Sequence, residues 1–143
     1  MSVPAARPDA KQEIARLVEE YRLVSELLAS LQAQYSVVED TLEELAVALD
    51  GVRVLKSEGG GEKFVHIGAG IFVRGQFAVR EVLVPIGARY YAFFDLETAE
   101  GVLRARIDEY TKIKAALEDN MKRLSERAAQ LRQALEGSGV VIR

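Results

Sequence analysis

Apolar residues recur at alternating intervals of three and four over the first fifty positions, and this spacing narrows the choice of fold more than any other feature. The series is Ile14, Leu17, Tyr21, Val24, Leu28, Leu31, Tyr35, Val38, Leu42, Leu45 and Leu49. It fills heptad positions a and d without a break, the pattern of a coiled-coil helix. Asp9 precedes it and Gln12 follows three residues later, an N-cap with a reciprocal partner. Gly51 stands just past the last seam residue, where a C-terminal cap belongs. A first helix is therefore expected over residues 9–50.

A second seam closes the chain. Asp95 is placed as an N-cap, and Leu96, Leu103, Tyr110, Leu117, Leu124 and Leu131 recur every seven residues. Ile107, Met121, Ala128 and Leu135 fill the companion position, which also carries two polar residues, Glu100 and Lys114. With Gly137 as its stop, this helix is expected over 96–136. Each helix would be roughly 41 residues, or ~60 Å long.

A helix with an apolar seam is stable only when that face is covered. The simplest cover for each is the other, antiparallel. Setting Leu49 opposite Leu96 brings Leu42 near Leu103, Tyr35 near Tyr110 and Ile14 near Leu131. Charge agrees with this orientation. The first helix is acidic, and antiparallel pairing sets Glu13, Glu19, Glu20 and Glu26 beside Lys122, Arg123, Arg127 and Arg132. Lys114, a cation in the seam, reads as a device that sets register or partner. The remaining acids of the first helix read as a solvated face.

Residues 51–95 differ in kind. All five phenylalanines lie here, in short β-rich runs at 52–56, 63–67, 71–77, 80–85 and 89–94. Glycines at 59–61, at 68 and 70, and at 87 break the runs. Two β-hairpins are expected, with 59–61 at a hairpin tip. Ile71, Phe72, Val73, Val82, Leu83, Val84, Tyr90, Tyr91, Phe93 and Phe94 make both strand faces apolar. Such strands are normally covered on both sides, isolated hairpins are marginal, and open edges invite pairing. The expected fold is α+β and mainly α: a long antiparallel coiled-coil hairpin whose two β-hairpins join an oligomeric β-barrel. Ile71, Phe72, Val73, Val82, Val84, Tyr90 and Tyr91 are the expected oligomerisation residues.

Composition excludes several function classes. A net charge of −3 gives no basic excess for nucleic acid. The chain has no cysteine, which removes disulfides, thiolate zinc sites and thiol catalysis. No run approaches the ~18 apolar residues of a membrane span, and no signal segment is evident at the N-terminus, so a cytoplasmic location is expected. His66 is the single histidine and stands apart from any acidic cluster, so no metal is expected there. Gly68-Ala69-Gly70 precedes a strand and lacks a following Lys-Ser or Lys-Thr, so it reads as a turn rather than a phosphate loop. No acid, base and nucleophile converge, which argues against an enzyme, and no cofactor is expected.

The central run Ile67-Gly68-Ala69-Gly70-Ile71-Phe72-Val73-Arg74-Gly75, followed by Val84-Pro85-Ile86-Gly87-Ala88-Arg89-Tyr90-Tyr91 and Asp95-Leu96-Glu97, resembles the signature of the prefoldin α-subunit family. That family's pattern usually has Gly where Arg89 stands. The resemblance covers essentially the whole chain, read as a single domain over 1–143. It implies a hexamer of two α-type and four β-type subunits, with a double β-barrel carrying six coiled-coil arms. It further implies that unfolded client proteins bind near the arm tips and pass to a group II chaperonin without nucleotide. Client contact would fall on Val3, Ile14, Leu17, Leu131, Leu135, Val140, Val141 and Ile142. The same residues read alternatively as frayed termini (Val3 and 140–142) or as plain seam (Ile14, Leu17, Leu131 and Leu135). A scaffolding coiled-coil subunit that binds a folded partner is the competing function.

Overall fold

The structure, a computed structural model, describes residues 8–142. Two long helices flank two hairpins: α1 (Pro8–Glu58), β1 (Gly61–Gly68), β2 (Ile71–Phe77), β3 (Glu81–Gly87), β4 (Tyr90–Asp95) and α2 (Leu96–Gly137). The strands form two separate antiparallel pairs, β1 with β2 and β3 with β4. The expected order of elements holds, but the end of the first helix and the register do not.

The first helix does not stop at Gly51. It runs on through the stretch 52–56, expected as a strand, to Glu58. Val52 explains why. It is the next seam position after Leu49, and it is buried in one cluster with Leu49, Val84, Ala99 and Leu103. Burying such a side chain is worth about 1.5–3 kcal/mol. A glycine inside a helix costs only about 0.5–1 kcal/mol, so burial outweighs the local break. The helix ends instead at Gly59, whose φ is +73° and whose N–H donates to the Leu55 carbonyl at 2.9 Å. A Cβ on Gly60 would collide with the Phe77 carbonyl. The glycine run is thus a helix-to-strand junction, not a hairpin tip.

The chain divides into two compact units, residues 1–39 with 112–143, and residues 40–111. In the first, Glu20 meets Arg127 at 2.8 Å, Tyr35 meets Glu118 at 2.8 Å, and Glu39 meets Lys114 at 4.0 Å. Rising numbers on α1 against falling numbers on α2 make the pairing antiparallel. Val24, Val38, Leu117, Leu131 and Leu135 are its buried core. Of the expected cross-helix charge pairs, Glu20–Arg127 is present. Arg123 and Arg132 instead pair along α2 with Asp119 and Glu136, while Glu13, Glu19 and Glu26 pair along α1 with Arg16 and Arg22.

In the second unit Leu49 shares its cluster with Leu103, while Leu96 packs at the rim. The expected opposition of Leu49 to Leu96 is therefore displaced by one heptad. The two extra turns of α1 account for the shift. β3 and β4 pack Val82, Val84 and Phe94 onto this helix pair, and Arg106 donates to the Pro85 carbonyl at 2.6 Å.

Both hairpins close through two-residue loops with positive φ at each position, Ala69-Gly70 and Ala88-Arg89. That is the turn whose twist suits antiparallel strands. Ala88 and Arg89 adopt it without glycine, at φ of 50° and 66°. At the start of α2 the Asp95 carboxylate accepts the Thr98 N–H at 2.7 Å, the expected N-cap.

Candidate interaction surfaces

Alternation along a strand decides which side chains the chain covers and which it leaves open. In the second hairpin Val82 pairs with Phe94 and Val84 with Ala92, on the face toward the helices. Leu83 pairs with Phe93 and Pro85 with Tyr91, on the other face. Val84 is only 7% exposed, whereas Leu83 is 54% and Phe93 66% exposed. Val82 and Val84, expected to be oligomerisation residues, therefore belong to the chain's own core. The open side chains of this hairpin are Leu83, Tyr91 and Phe93, with Tyr90 and Ile86 near its turn. Leu83 and Phe93 were not among the expected contact residues. Once Val84 is known to point inward, parity along β3 and β4 identifies both.

The first hairpin has two unlike faces. Val65 pairs with Val73, and alternation along β2 puts Ile71 on that same apolar side, while the register shifts at Ile67 between His66 and Gly68. The opposite face carries Phe64, His66, Phe72 and Arg74. There the His66 and Phe72 rings lie 5.1 Å apart, the Arg74 guanidinium sits 5.4 Å from the Phe64 ring centre, and Arg74 reaches Glu62 at 3.1 Å. Ile71, Phe72 and Val73 are all exposed. Each hairpin has only two strands, so its outer edges find no strand partner within the described residues.

The end of the helix pair in the first unit is more closed than expected. Leu131 and Leu135 are each 1% exposed and serve the seam. Ile14 and Leu17 are half-buried. Past Gly137 the chain turns at Gly139, φ +84°. Its N–H donates to the Glu136 carbonyl at 3.1 Å, and the Val140 N–H donates to the Leu135 carbonyl at 3.0 Å. These two bonds make a Schellman cap, with Gly139 rather than Gly137 as the capping glycine. It holds Val140 half-buried and leaves Val141 exposed, with Ile142 half-buried. Val3 lies outside the described residues.

The two polar seam positions are both answered across the helix pair. Glu100, its side chain 12% exposed, is met by Lys56 at 2.8 Å, Arg53 at 3.3 Å and Arg104 at 2.7 Å. The Lys56 hydrogen bond, with Arg53 beside it, holds the Glu100 carboxyl below its ordinary range against the opposing effect of desolvation. Lys114 sits 5.6 Å from the Tyr35 ring centre as well as near Glu39. The Tyr35 hydroxyl donates to Glu118, which pushes the phenol up to about 12. No group of three or more His, Cys, Asp or Glu that could hold a metal occurs among the described residues. None of their helices is long and apolar enough to cross a membrane.

Comparison with known proteins agrees with this architecture. The chain matches the Prefoldin family model (Prefoldin subunit) over residues 24–139. It is 60% identical over 131 residues to prefoldin subunit alpha of Pyrobaculum islandicum, covering 92% of this chain and 98% of that one. The protein of the same name from Pyrobaculum arsenaticum is 58% identical over 135 residues, covering 94% and 98%. Its counterpart in Thermofilum pendens is 27% identical over 124 residues, covering 85% and 94%. The fold is similar to that of a chain in the cryo-EM structure of filamentous PFD from Methanocaldococcus jannaschii, with a TM-score of 0.65 and 21% identity over 80% of this chain and 97% of that one. Two heptad helices, two hairpins with uncovered apolar faces and this degree of identity together mean that the chain belongs to the prefoldin family of chaperone subunits, among its alpha-type members.

Proposed function

We propose that the chain is the α-type subunit of a hexameric, ATP-independent holding chaperone in the cytoplasm, built from two α-type and four β-type subunits. In this reading the whole chain acts as one prefoldin-like domain, and hairpins of several subunits close into shared β-barrels. Unfolded clients bind at the free ends of the helix pairs, through Val140, Val141 and Ile142 together with seam residues Ile14, Leu17, Leu131 and Leu135 when that end opens. They are then released to a group II chaperonin.

The observation that carries the reading is the uncovered face formed by Leu83, Tyr91 and Phe93. A water-soluble chain does not keep three large side chains on one strand face unless something covers them. Strands from other subunits satisfy both that face and the open edges. For client holding, the support is the exposed Val141 just beyond the Schellman cap. Several such ends around one cavity bind a client at many weak points, and avidity raises affinity by about 10²–10⁴ without a single strong contact. Weak contacts also allow release without nucleotide.

The test is co-expression with a β-type subunit, mass measurement of the complex, and suppression of aggregation of a denatured protein. Val141→Ser with Ile142→Ser should leave the complex mass unchanged and weaken suppression, and added ATP should change neither. A complex that forms normally but protects no client would favour the scaffolding role and end the holding reading.

A further inference from the structure

We infer that Lys114 and Glu100 are register-determining residues: each fixes which heptad of α1 its own unit of α2 pairs with. A strictly apolar heptad seam has little to distinguish one alignment from the next, because sliding one helix by seven residues again sets apolar side chains against apolar side chains. In this chain the seam of α1 is apolar or tyrosine throughout, from Ile14 to Val52. The seam of α2 carries two polar residues, Glu100 and Lys114, and each unit contains one of them.

Arg104 lies on α2 with Glu100 and stays beside it in any alignment, but the neighbours that α1 supplies to these two residues exist in one alignment alone. Lys114 has the Glu39 carboxylate at 4.0 Å and the Tyr35 ring face at 5.6 Å, and the same Tyr35 donates to Glu118 at 2.8 Å. Sliding α1 by one heptad in one direction replaces Tyr35 and Glu39 by Leu28 and Gln32. Sliding it in the other direction replaces them by Leu42 and Ala46. Either way Lys114 loses its carboxylate and its ring, and Glu118 loses its hydroxyl donor. Glu100 behaves alike. One slip sets Ala46 and Leu49 where Arg53 and Lys56 stand, and the other requires residues 60 and 63, beyond the end of α1 at Glu58. A half-buried charge left without its partner is strongly disfavoured. Each heptad slip would displace the helix end by about 10 Å. The two polar layers therefore set where the chain's terminal apolar residues come to lie, whatever those residues bind.

The absence of cysteine makes the register measurable by thiol cross-linking with a short bis-maleimide. Glu20→Cys with Arg127→Cys reports the observed alignment, since the ends of these two long side chains meet at 2.8 Å and the cross-linker spans the gap that the shorter cysteines leave. Glu13→Cys with Arg127→Cys and Leu27→Cys with Arg127→Cys report slips of one heptad in either direction. In the full-length chain only the first pair should cross-link readily. Adding Lys114→Leu and Glu100→Leu should raise cross-linking of at least one slipped reporter by about tenfold or more, with helicity retained and the melting temperature unchanged or higher. Lys114→Arg should leave the pattern as in the parent. If the double leucine variant retains helicity and its slipped reporters stay at the parent level, the inference is overturned. If that variant loses helicity, the charge swap decides. Lys114→Glu should scramble the pattern and Glu39→Lys added to it should restore the parent one, and failure to restore overturns the inference equally.

Discussion

Leu83 and Val84 are neighbours in one strand, yet the structure gives them opposite duties, and substituting each in turn separates folding from assembly. Val84 is 7% exposed and packs with Leu49, Val52, Ala99 and Leu103. Val84→Ala removes two carbons from that cluster. At about 0.8 kcal/mol per buried methylene, plus a cavity contribution because the helices close in only partly, the cost is about 2–3 kcal/mol. For a chain of this size each kcal/mol moves the melting temperature by about 3–4 °C, so a fall of about 6–12 °C is expected. Leu83, 54% exposed, has no such cluster. Leu83→Lys should shift the stability of the isolated chain by no more than about 0.5 kcal/mol. The same change places an ammonium between Phe93 and whatever strand covers it, and should reduce recovery of the complex by at least about tenfold. The assay pairs urea unfolding of each variant with native mass measurement after mixing with β-type subunits. Val84→Ala should still assemble at low temperature. If Leu83→Lys lowers the chain's own stability as much as Val84→Ala does, the division of the hairpin into an inner and an outer face is wrong. If it folds and assembles like the parent, the Leu83–Tyr91–Phe93 face is not the interface.

Three smaller perturbations follow from particular turns and caps. Gly139→Ala forces a Cβ into the left-handed region at φ +84° and should cost about 1–2 kcal/mol, seen as faster hydrogen exchange of the Val140 amide with assembly unaffected. Arg89→Gly relieves the same strain at φ +66° and should stabilise the second hairpin by about 0.5–1 kcal/mol, after allowing for the greater freedom of glycine in the unfolded chain, raising the melting temperature by a few degrees on this scale. Asp95→Ala removes the carboxylate that accepts the Thr98 N–H, a bond that holds the Asp95 pKa below its ordinary value. A lowered folded-state pKa gives stability that is present above the unfolded value and lost as pH falls through the folded one. The variant should therefore melt earlier than the parent at neutral pH, and the gap should narrow as pH drops below the usual aspartate range.

What could be read in advance was whatever repeats. The heptad from Ile14 to Leu49 and its counterpart from Leu96 to Leu135 imply two antiparallel helices, because a seam of that length is stable only when covered. The glycine punctuation locates both hairpin turns. The errors lie where a local signal competed with burial. Gly51 and the β-branched run Val52-Arg53-Val54 look like a helix stop and a strand, yet Val52 continues the seam and its burial carries the helix to Glu58. From that one misplaced end follows the register error of one heptad: with the helix stopped at Gly51, Arg53 and Lys56 are not on it to answer Glu100, and the apolar layers by themselves give no local warning of a slip. The open face of β3–β4 was hidden for another reason. Both faces are apolar, and only the packing of Val82, Val84 and Phe94 on the helices tells inside from outside. At the helix end, Leu131 and Leu135 looked available because they are terminal in the seam, and the Schellman cap beside them lies in residues whose spacing shows no period.

The order of elements along the chain also sets an order in time. α1 is made first, and its seam is not fully covered until α2, which starts at Leu96, has been synthesised through Gly137. At about 5–20 residues per second, several seconds pass between completing one helix and completing the other. For that interval α1 is a long amphipathic segment with an uncovered stripe, marginal as a helix in water. Both hairpins emerge inside the same interval, before the helix pair onto which β3 and β4 fold can exist. During synthesis both hairpins have therefore left the ribosome before the helix pair beneath β3 and β4 is complete, and each must wait as an isolated pair of strands, marginal in water, for the surface it packs on.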